Sequence, residues 1–426
     1  MFCAFLRGRS CRAALLAIGM VAANTGRAEV TADTVNATIG LPLFADDNLW
    51  DDGDQVTADR LRWPLESKTS SGSSFRRYPG ADVRTFGTRP FSLALYGEND
   101  RVSQISVVFA NKGDIDSLLG IVPETGDRNR PVGNRVTKKY QAFIEQDAKT
   151  IGGALTHLFG EPKSDRVGQG RETREQVDRW DWNGHSFLLA SPRQEYVALR
   201  VVPTASLDGD PAKRIPDSEV RARLEANVEK RANGDVVIQN IPMVDQGPKG
   251  YCVPATWERT LRYMGIPADM YVLAMAGNTN VGGGTTIDDI VAGVGDVVRR
   301  SGRRLQQDAG RVDIRSLSKS IDRGIPVMWA MFVDRDLDRS VTFRSRERPS
   351  VPDPKVWSER LTASRKAARQ LRPDRESGHV CMIIGYNEKT QEIAISDSWG
   401  REFAERWITV EEADAISQGR FTTILW

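Results

Sequence analysis

Cys252 lies in the stretch Asp245-Gln246-Gly247-Pro248-Lys249-Gly250-Tyr251-Cys252-Val253-Pro254-Ala255. A turn-rich loop delivers this cysteine to the first turn of an apolar-faced helix. Pro254 suits a helix start, because its missing N–H would have no partner there. A thiolate is favoured at the positive end of a helix dipole. A thiol needs that lowered pKa, or an adjacent base, to act as a nucleophile near neutral pH. His379 stands at the mouth of the apolar run Val380-Cys381-Met382-Ile383-Ile384 and is the natural base. Asp397 follows a second apolar run, Ile393-Ala394-Ile395. A carboxylate bonded to the far nitrogen of a histidine holds its tautomer and ring orientation, and Asp397 can do that. Trp399 could cover the pair and keep water off it. The other two histidines, His157 in a helix and His185 beside a hairpin turn, read as structural or surface residues.

Any one of these residues alone would suggest a core, surface or turn position. In the order Gln246, Cys252, His379, Asp397, they resemble the papain-like cysteine peptidases. Gln246-Gly247 followed by Cys252 is similar to that family's Gln-Gly-x-Cys-Gly-x-Cys motif, and Ser396-Asp397-Ser398-Trp399-Gly400 is similar to its Asn-Ser-Trp-Gly. Tyr251-Cys252-Val253-Pro254-Ala255 more closely resembles the Tyr-Cys-Gly-Pro-Ala signature of the bacterial double-glycine (bacteriocin leader) peptidase-like family. The resemblance covers residues 236–426. It implies a papain-like catalytic domain, with helices packed on a C-terminal antiparallel sheet, that hydrolyses a peptide or related amide bond through an acyl-thioester. By this resemblance Cys252 attacks a carbonyl, and His379 takes the thiol proton and later gives it to the leaving group. Asp397 orients His379, and Gln246 with the Cys252 backbone N–H forms the oxyanion hole. Val253 departs from the family's glycine, and Asp397 replaces the asparagine of papain, although aspartate is usual in the leader-peptidase branch. Alternatives stay open: a non-catalytic papain-fold binding protein, a transpeptidase or deamidase using the same residues, and a structural Cys252–Cys381 disulfide. The Gly282-Gly283-Gly284-Thr285-Thr286 run lacks the lysine and preceding strand of a phosphate loop and reads as a flexible rim of the cleft. No His/Cys/carboxylate cluster has ligand spacing, so no metal or cofactor is expected.

The elements that must carry these residues follow from periodicity. Helix-period apolar positions predict helices over 254–264, 287–300 and 314–322, with Thr286 and Asp289 resembling a capping box. Strands are expected at 236–238, 325–333, 380–386, 392–397, 405–410 and 421–426. Helices first and strands last predict an α+β fold. A polar insertion, 334–376, with one helix near 359–371, precedes His379. Counting about Glu388 places His379 and Asp397 directly opposite each other if the 380–397 hairpin has no bulge. Upstream, 29–205 reads as a smaller α+β domain with a helix over 140–159 and strands at 91–96, 102–109 and 196–202. Asn183-Gly184 between two apolar runs is a strong hairpin signal. Residues 64–80 read as a mobile loop, and 206–234 as a linker with a solvated helix over 217–231.

Two domains are the default for 426 residues, and 40% hydrophobic with 27% charged residues is ordinary for a globular chain. Residues 1–28 have Arg7, Arg9 and Arg12 ahead of a short apolar run and small residues near Ala28. That is a signal-peptide pattern with cleavage after Ala28, implying a periplasmic or extracellular protein. Its removal takes four arginines and moves the net charge from +2 to −2. With no dominant basic patch, nucleic acid is not an expected partner. No later stretch is apolar enough to span a membrane, so the expected partner is a peptide or protein substrate. The sequence carries no signal of oligomeric state.

Overall fold

The structure, a computed structural model, describes residues 29–120, 134–192, 195–208, 215–281 and 284–426. The expected signal segment 1–28 and two glycines of the rim loop, 282–283, lie outside the described residues. Two mixed α/β units follow one another, each built on an eight-stranded sheet in which every pairing is antiparallel.

The first unit begins with α1 (Ala32–Ile39) and α2 (Asp54–Leu61). Strands β1 (Leu65–Thr69), β2 (Gly72–Arg77), β3 (Ser92–Glu98) and β4 (Arg101–Asn111) follow, then helices α3 (Ile115–Leu119) and α4 (Asn134–Phe159). Strands β5 (Lys163–Val167), β6 (Glu175–Trp182), β7 (His185–Ala190) and β8 (Tyr196–Pro203) close the sheet in the order β1-β2-β3-β4-β8-β7-β6-β5. Asn183 and Gly184 both take positive φ (43° and 76°) at the β6–β7 tip, as a type I′ turn demands. The segment expected to be a mobile loop is instead β1 and β2. Its serines and glycine have poor strand propensity, but Ser73, Ser74 and Phe75 are buried, so packing against β3 decides the matter. Helix α4 buries Tyr140, Ile144, Ile151 and Leu155 against this sheet at helical spacing.

After a short α5 (Thr204–Asp208), the chain enters α6 (Asp217–Ala226) and β9 (Val228–Lys230). The expected solvated spacer is therefore part of the second unit. Val220 and Leu224 are fully buried in its core, and β9 pairs with β10 (Val236–Ile238). Then come α7 (Cys252–Tyr263), α8 (Met270–Ala276), α9 (Ile287–Arg300), β11 (Arg304–Ala309), α10 (Ile314–Ile321) and β12 (Val327–Phe332). The insertion holds three helices where one was expected: α11 (Arg335–Glu347), α12 (Pro354–Arg360) and α13 (Thr362–Ala368). Leu337 and Val341, one turn apart on α11, and Trp357 on α12 bury an apolar stripe that the dense surface charge obscures in sequence. Strands β13 (Gly378–Asn387), β14 (Glu392–Ser396) and β15 (Arg406–Thr409), helix α14 (Val410–Ile416) and strand β16 (Ser417–Leu425) complete the unit. Strand β13 is its hub, pairing with β10, β12 and β14. A third apolar cluster joins the units: Val108, Leu188, Tyr196 and Ala198 of the first sheet pack on Tyr251, Ala255, Tyr271 and Ala274 around α7 and α8. Among the described residues no helix is long and apolar enough to cross a membrane.

The β13–β14 hairpin carries a bulge that the count about Glu388 did not include. Gly385 pairs with Ala394, but Ile383 pairs with Ile395 and Met382 with Ser396, so Ile384 is the extra residue. Continued by one residue, this register sets Asp397 opposite Cys381 rather than His379. His379 then lies two residues along the same face, the diagonal neighbour position. Without the bulge Asp397 would fall opposite Met382 and point to the other side of the sheet. Gly385 allows the close approach: a Cβ there would sit 2.5 Å from the Val236 carbonyl oxygen and 3.1 Å from Ala394 Cβ. Gly385→Ala should therefore destabilise the fold by about 1–3 kcal/mol, the usual cost of overpacking a core. Urea unfolding against the wild type measures this, and unchanged stability would show that the strands relax freely around the bulge.

Candidate active site

Cys252 is the first residue of α7, two residues before the expected helix start. Pro254 is accommodated there because the first four N–H groups of a helix lack intrahelical partners. Val253, the departure from the family's glycine, turns into the main core and is 4% exposed. Two side chains lock α7 to the strands behind it. Thr256 Oγ1 donates to the Val380 carbonyl at 3.0 Å, and the fully buried Arg259 reaches the Pro242 carbonyl at 2.9 Å and the Ser396 hydroxyl. The helix that begins with Cys252 is thereby set against the strand that carries His379.

His379 and Asp397 are buried, at 5% and 1% exposure, and His379 Nε2 lies 2.8 Å from Asp397 Oδ1. Nδ1 is then the nitrogen left for Cys252, which lies close enough to the ring to shift its titration. The half-buried Trp399 lies over the imidazole, ring centroids 4.6 Å apart. Burial alone would push the Cys252 thiol up. Its hydrogen bond with His379, the imidazolium charge and the backbone N–H groups of Val380 and Val253 outweigh that and lower it. Burial likewise opposes the His379 charge, but the bonds to Asp397 and Cys252 raise its pKa to about 10. Together these shifts favour a thiolate–imidazolium pair over the neutral pair.

Asp397 has a second cation that sequence reasoning missed. Arg406, on β15, donates through Nη2 to Asp397 Oδ2 and through Nη1 to Asp338 Oδ1 and Thr342 Oγ1, each at 2.7 Å. Asp338 and Thr342 are one turn apart on α11, so the insertion closes a chain running from α11 through Arg406 and Asp397 to His379. Burial favours a neutral Asp397, but His379 and Arg406 hold its carboxyl below the usual carboxylate range. The guanidinium also lies 5.4 Å from the Trp399 ring and 5.0 Å from Phe403. The available signal was a charged residue opening a fully buried strand, Arg406-Trp407-Ile408-Thr409.

Gln246 is buried, and its backbone N–H donates to the Ser398 carbonyl at 2.8 Å, so the glutamine loop is tied to the Asp397 loop. Its side-chain amide donates one N–H to the Lys249 carbonyl at 2.8 Å, leaving the other for a ligand, and its Oε1 has no partner among the described residues. Gly284, the described glycine of the expected rim, donates its N–H to the Gly250 carbonyl at 2.9 Å, in the loop that leads to Cys252. Cys252 and Cys381 are both free, so the disulfide reading is set aside. Cys381 is fully buried with its pKa pushed up by burial, its Sγ 3.8 Å from Met331 Sδ. His185 is buried in the first unit, accepting from the Leu49 N–H and stacked near Trp50, and His157 is an exposed residue of α4.

Chemically, the arrangement offers a thiolate, a proton carrier, a carboxylate that orients it, and amide donors beside the sulfur. Residues 238–423 match the family model described as Peptidase_C39 like family, a papain-like cysteine peptidase family. The match covers this segment of the chain only, and it points to a cysteine peptidase-like function. No curated protein matches the chain.

Four outcomes follow. Brief iodoacetamide treatment should modify Cys252 and leave Cys381 intact, read by mass spectrometry; equal labelling would contradict the burial difference. The alkylation rate should rise below the ordinary thiol pKa of about 8.5. It should also change again near the His379 value of about 10, where the imidazolium is lost. Asp397→Asn removes a cause of the raised His379 pKa, so this upper limit should move down in pH; an unmoved limit would mean Asp397 does not act on the ring. Arg406→Gln removes one of the two cations beside buried Asp397 and should cost up to about 3–5 kcal/mol in urea unfolding, the range for losing one partner of a buried pair.

Proposed function

We propose that this chain is a cysteine hydrolase that cleaves a peptide or related amide bond through an acyl-thioester on Cys252. The observation that carries the reading is the buried His379–Asp397 hydrogen bond beside Cys252, the first residue of α7. The thiolate adds to the carbonyl carbon, and the resulting oxyanion is held by the Cys252 backbone N–H and the free amide N–H of Gln246. His379, already protonated, gives its proton to the departing amine as the C–N bond breaks. It then takes a proton from water, whose oxygen adds to the thioester and releases the acid and the thiolate. Asp397 keeps Nε2 engaged, so Nδ1 always faces the sulfur. A transpeptidase would use the same steps with an amine replacing water, and a deamidase would release ammonia, so product analysis separates the three.

The domain reading belongs to the same proposal: residues 235–426 carry the chemistry and 29–205 form a first unit packed against them, while α6 and β9, expected as a linker, pack and pair within the second unit. Residues 1–28 are proposed as a cleaved signal segment that places the enzyme in the periplasm or outside the cell. N-terminal sequencing of the exported protein should then begin at Glu29, and an intact Met1 start would reject export by cleavage.

An epoxysuccinyl or vinyl-sulfone probe tests the chemistry directly. The wild type should be labelled at Cys252 and Cys252→Ala should not. Labelling that survives the substitution would remove Cys252 as nucleophile, and no labelling of either would favour the non-catalytic binding protein.

A further inference from the structure

The loop that carries Gln246 is held largely by the first unit. Tyr78, just beyond β2, donates its hydroxyl to the Asp245 carbonyl, and Glu66 of β1 accepts the Asp245 N–H at 2.8 Å. Ser67 Oγ accepts the Met243 N–H at 2.9 Å. Lys249, with a fully buried side chain, donates to Asp114 Oδ2 at 2.7 Å, and its ammonium lies 4.8 Å from the Tyr78 ring and 5.5 Å from the Tyr271 ring. Asn111 Nδ2 donates to the same Asp114 oxygen, and the Gly113 N–H donates to Tyr251 Oη at 3.1 Å. The approach is close enough to require glycine on both sides. A Cβ on Gly247, whose φ is +68°, would lie 2.7 Å from the Tyr78 ring, and one on Gly113 would lie 2.7 Å from the Tyr251 ring.

A buried ion pair gives little net stability, because desolvation offsets the attraction. What Lys249–Asp114 does give is position. The Lys249 carbonyl is the acceptor that orients the Gln246 amide, and Asp245 is the residue before Gln246. We propose that the first unit is a working part of the oxyanion site: Asp114 and Tyr78 are positioning residues that, through Lys249 and Asp245, fix the amide of Gln246. This rests on the reading of Gln246 as an oxyanion donor. It assigns residues 29–205 a role inside the catalytic apparatus, rather than as a pro-segment to be removed.

Two reactions of Cys252 in the full chain separate positioning from mere folding. With p-nitrophenyl acetate the thiolate adds to the carbonyl, and the tetrahedral oxyanion collapses to an acetyl-thioester and p-nitrophenolate. With iodoacetamide the sulfur displaces iodide and no oxyanion forms. Gln246→Ala should slow acylation by about 10²–10³, the usual loss of one oxyanion donor. Asp114→Asn and Tyr78→Phe should each slow acylation by about tenfold or more, while alkylation stays within about twofold, since small misplacements act on the oriented step. Adding Asp114→Asn to Gln246→Ala should cost nothing further, because the two act through one interaction. Wild-type acylation in both Asp114→Asn and Tyr78→Phe, or losses that add in the double variant, would overturn the proposal. So would a parallel loss of both reactions in Tyr78→Phe, which removes a single hydroxyl. Unchanged acylation in Gln246→Ala would instead overturn the oxyanion reading itself.

Discussion

A carboxylate taken almost wholly out of water must have cations beside it, and Asp397 has two, His379 on one oxygen and Arg406 on the other. Much of the second unit can be understood from that requirement. Strand β13 brings the imidazole, β15 the guanidinium, and α11 crosses over to hold the guanidinium from outside. Trp399 and Phe403 exclude solvent from above. With the carboxylate charged and fixed, the imidazole next to it is easier to protonate, and the thiol beyond it is easier to ionise. The lowered pKa of Cys252 thus depends in part on a residue it does not touch.

The same logic extends along the backbone. Thr256 and Arg259 fix α7 to the ends of β13 and β14, so the sulfur and the imidazole share one rigid frame. Gln246 bonds to the Ser398 carbonyl, which places the glutamine loop against the loop that follows Asp397. Sites held on helices and strands keep their geometry better than sites on loops alone. Here the glutamine loop is also braced by the other unit, through a lysine enclosed among tyrosines.

How much was legible in sequence depended on whether the signal was local. Cys252, His379 and Asp397 announced themselves through flanks set by chemistry: a turn, a proline-started helix, apolar strands ending in polar residues. Their pairing was expected from a hairpin count about Glu388, but Asn387 pairs with Glu392, so the turn is centred beyond Lys389, and Ile384 bulges. The two residues do meet, as diagonal rather than direct neighbours, because the bulge returns Asp397 to the face of His379. A bulge leaves little trace in one sequence, apart from a glycine such as Gly385 inside an apolar strand. Arg406 was hidden because its partners lie 68 and 64 residues away, at Asp338 and Thr342, within a segment that looked like a polar insertion. The strands at 65–77 were hidden for the related reason that serines become strand residues only when a neighbouring sheet buries them. The helix over 217–226 was taken for a spacer because its two buried positions, Val220 and Leu224, are outnumbered by charges.

If the resting protein holds a His379 imidazolium facing a Cys252 thiolate, the ring protonation must show it. Nitrogen-15 NMR of the histidine rings reads this directly. At a mildly alkaline pH, well above the ordinary histidine value of about 6.5, the His379 ring should carry protons on both nitrogens, and Cys252→Ala should lower the pH at which it loses one. A His379 ring that is neutral at that pH, and titrates near the ordinary value whether or not the thiol is present, would contradict the account.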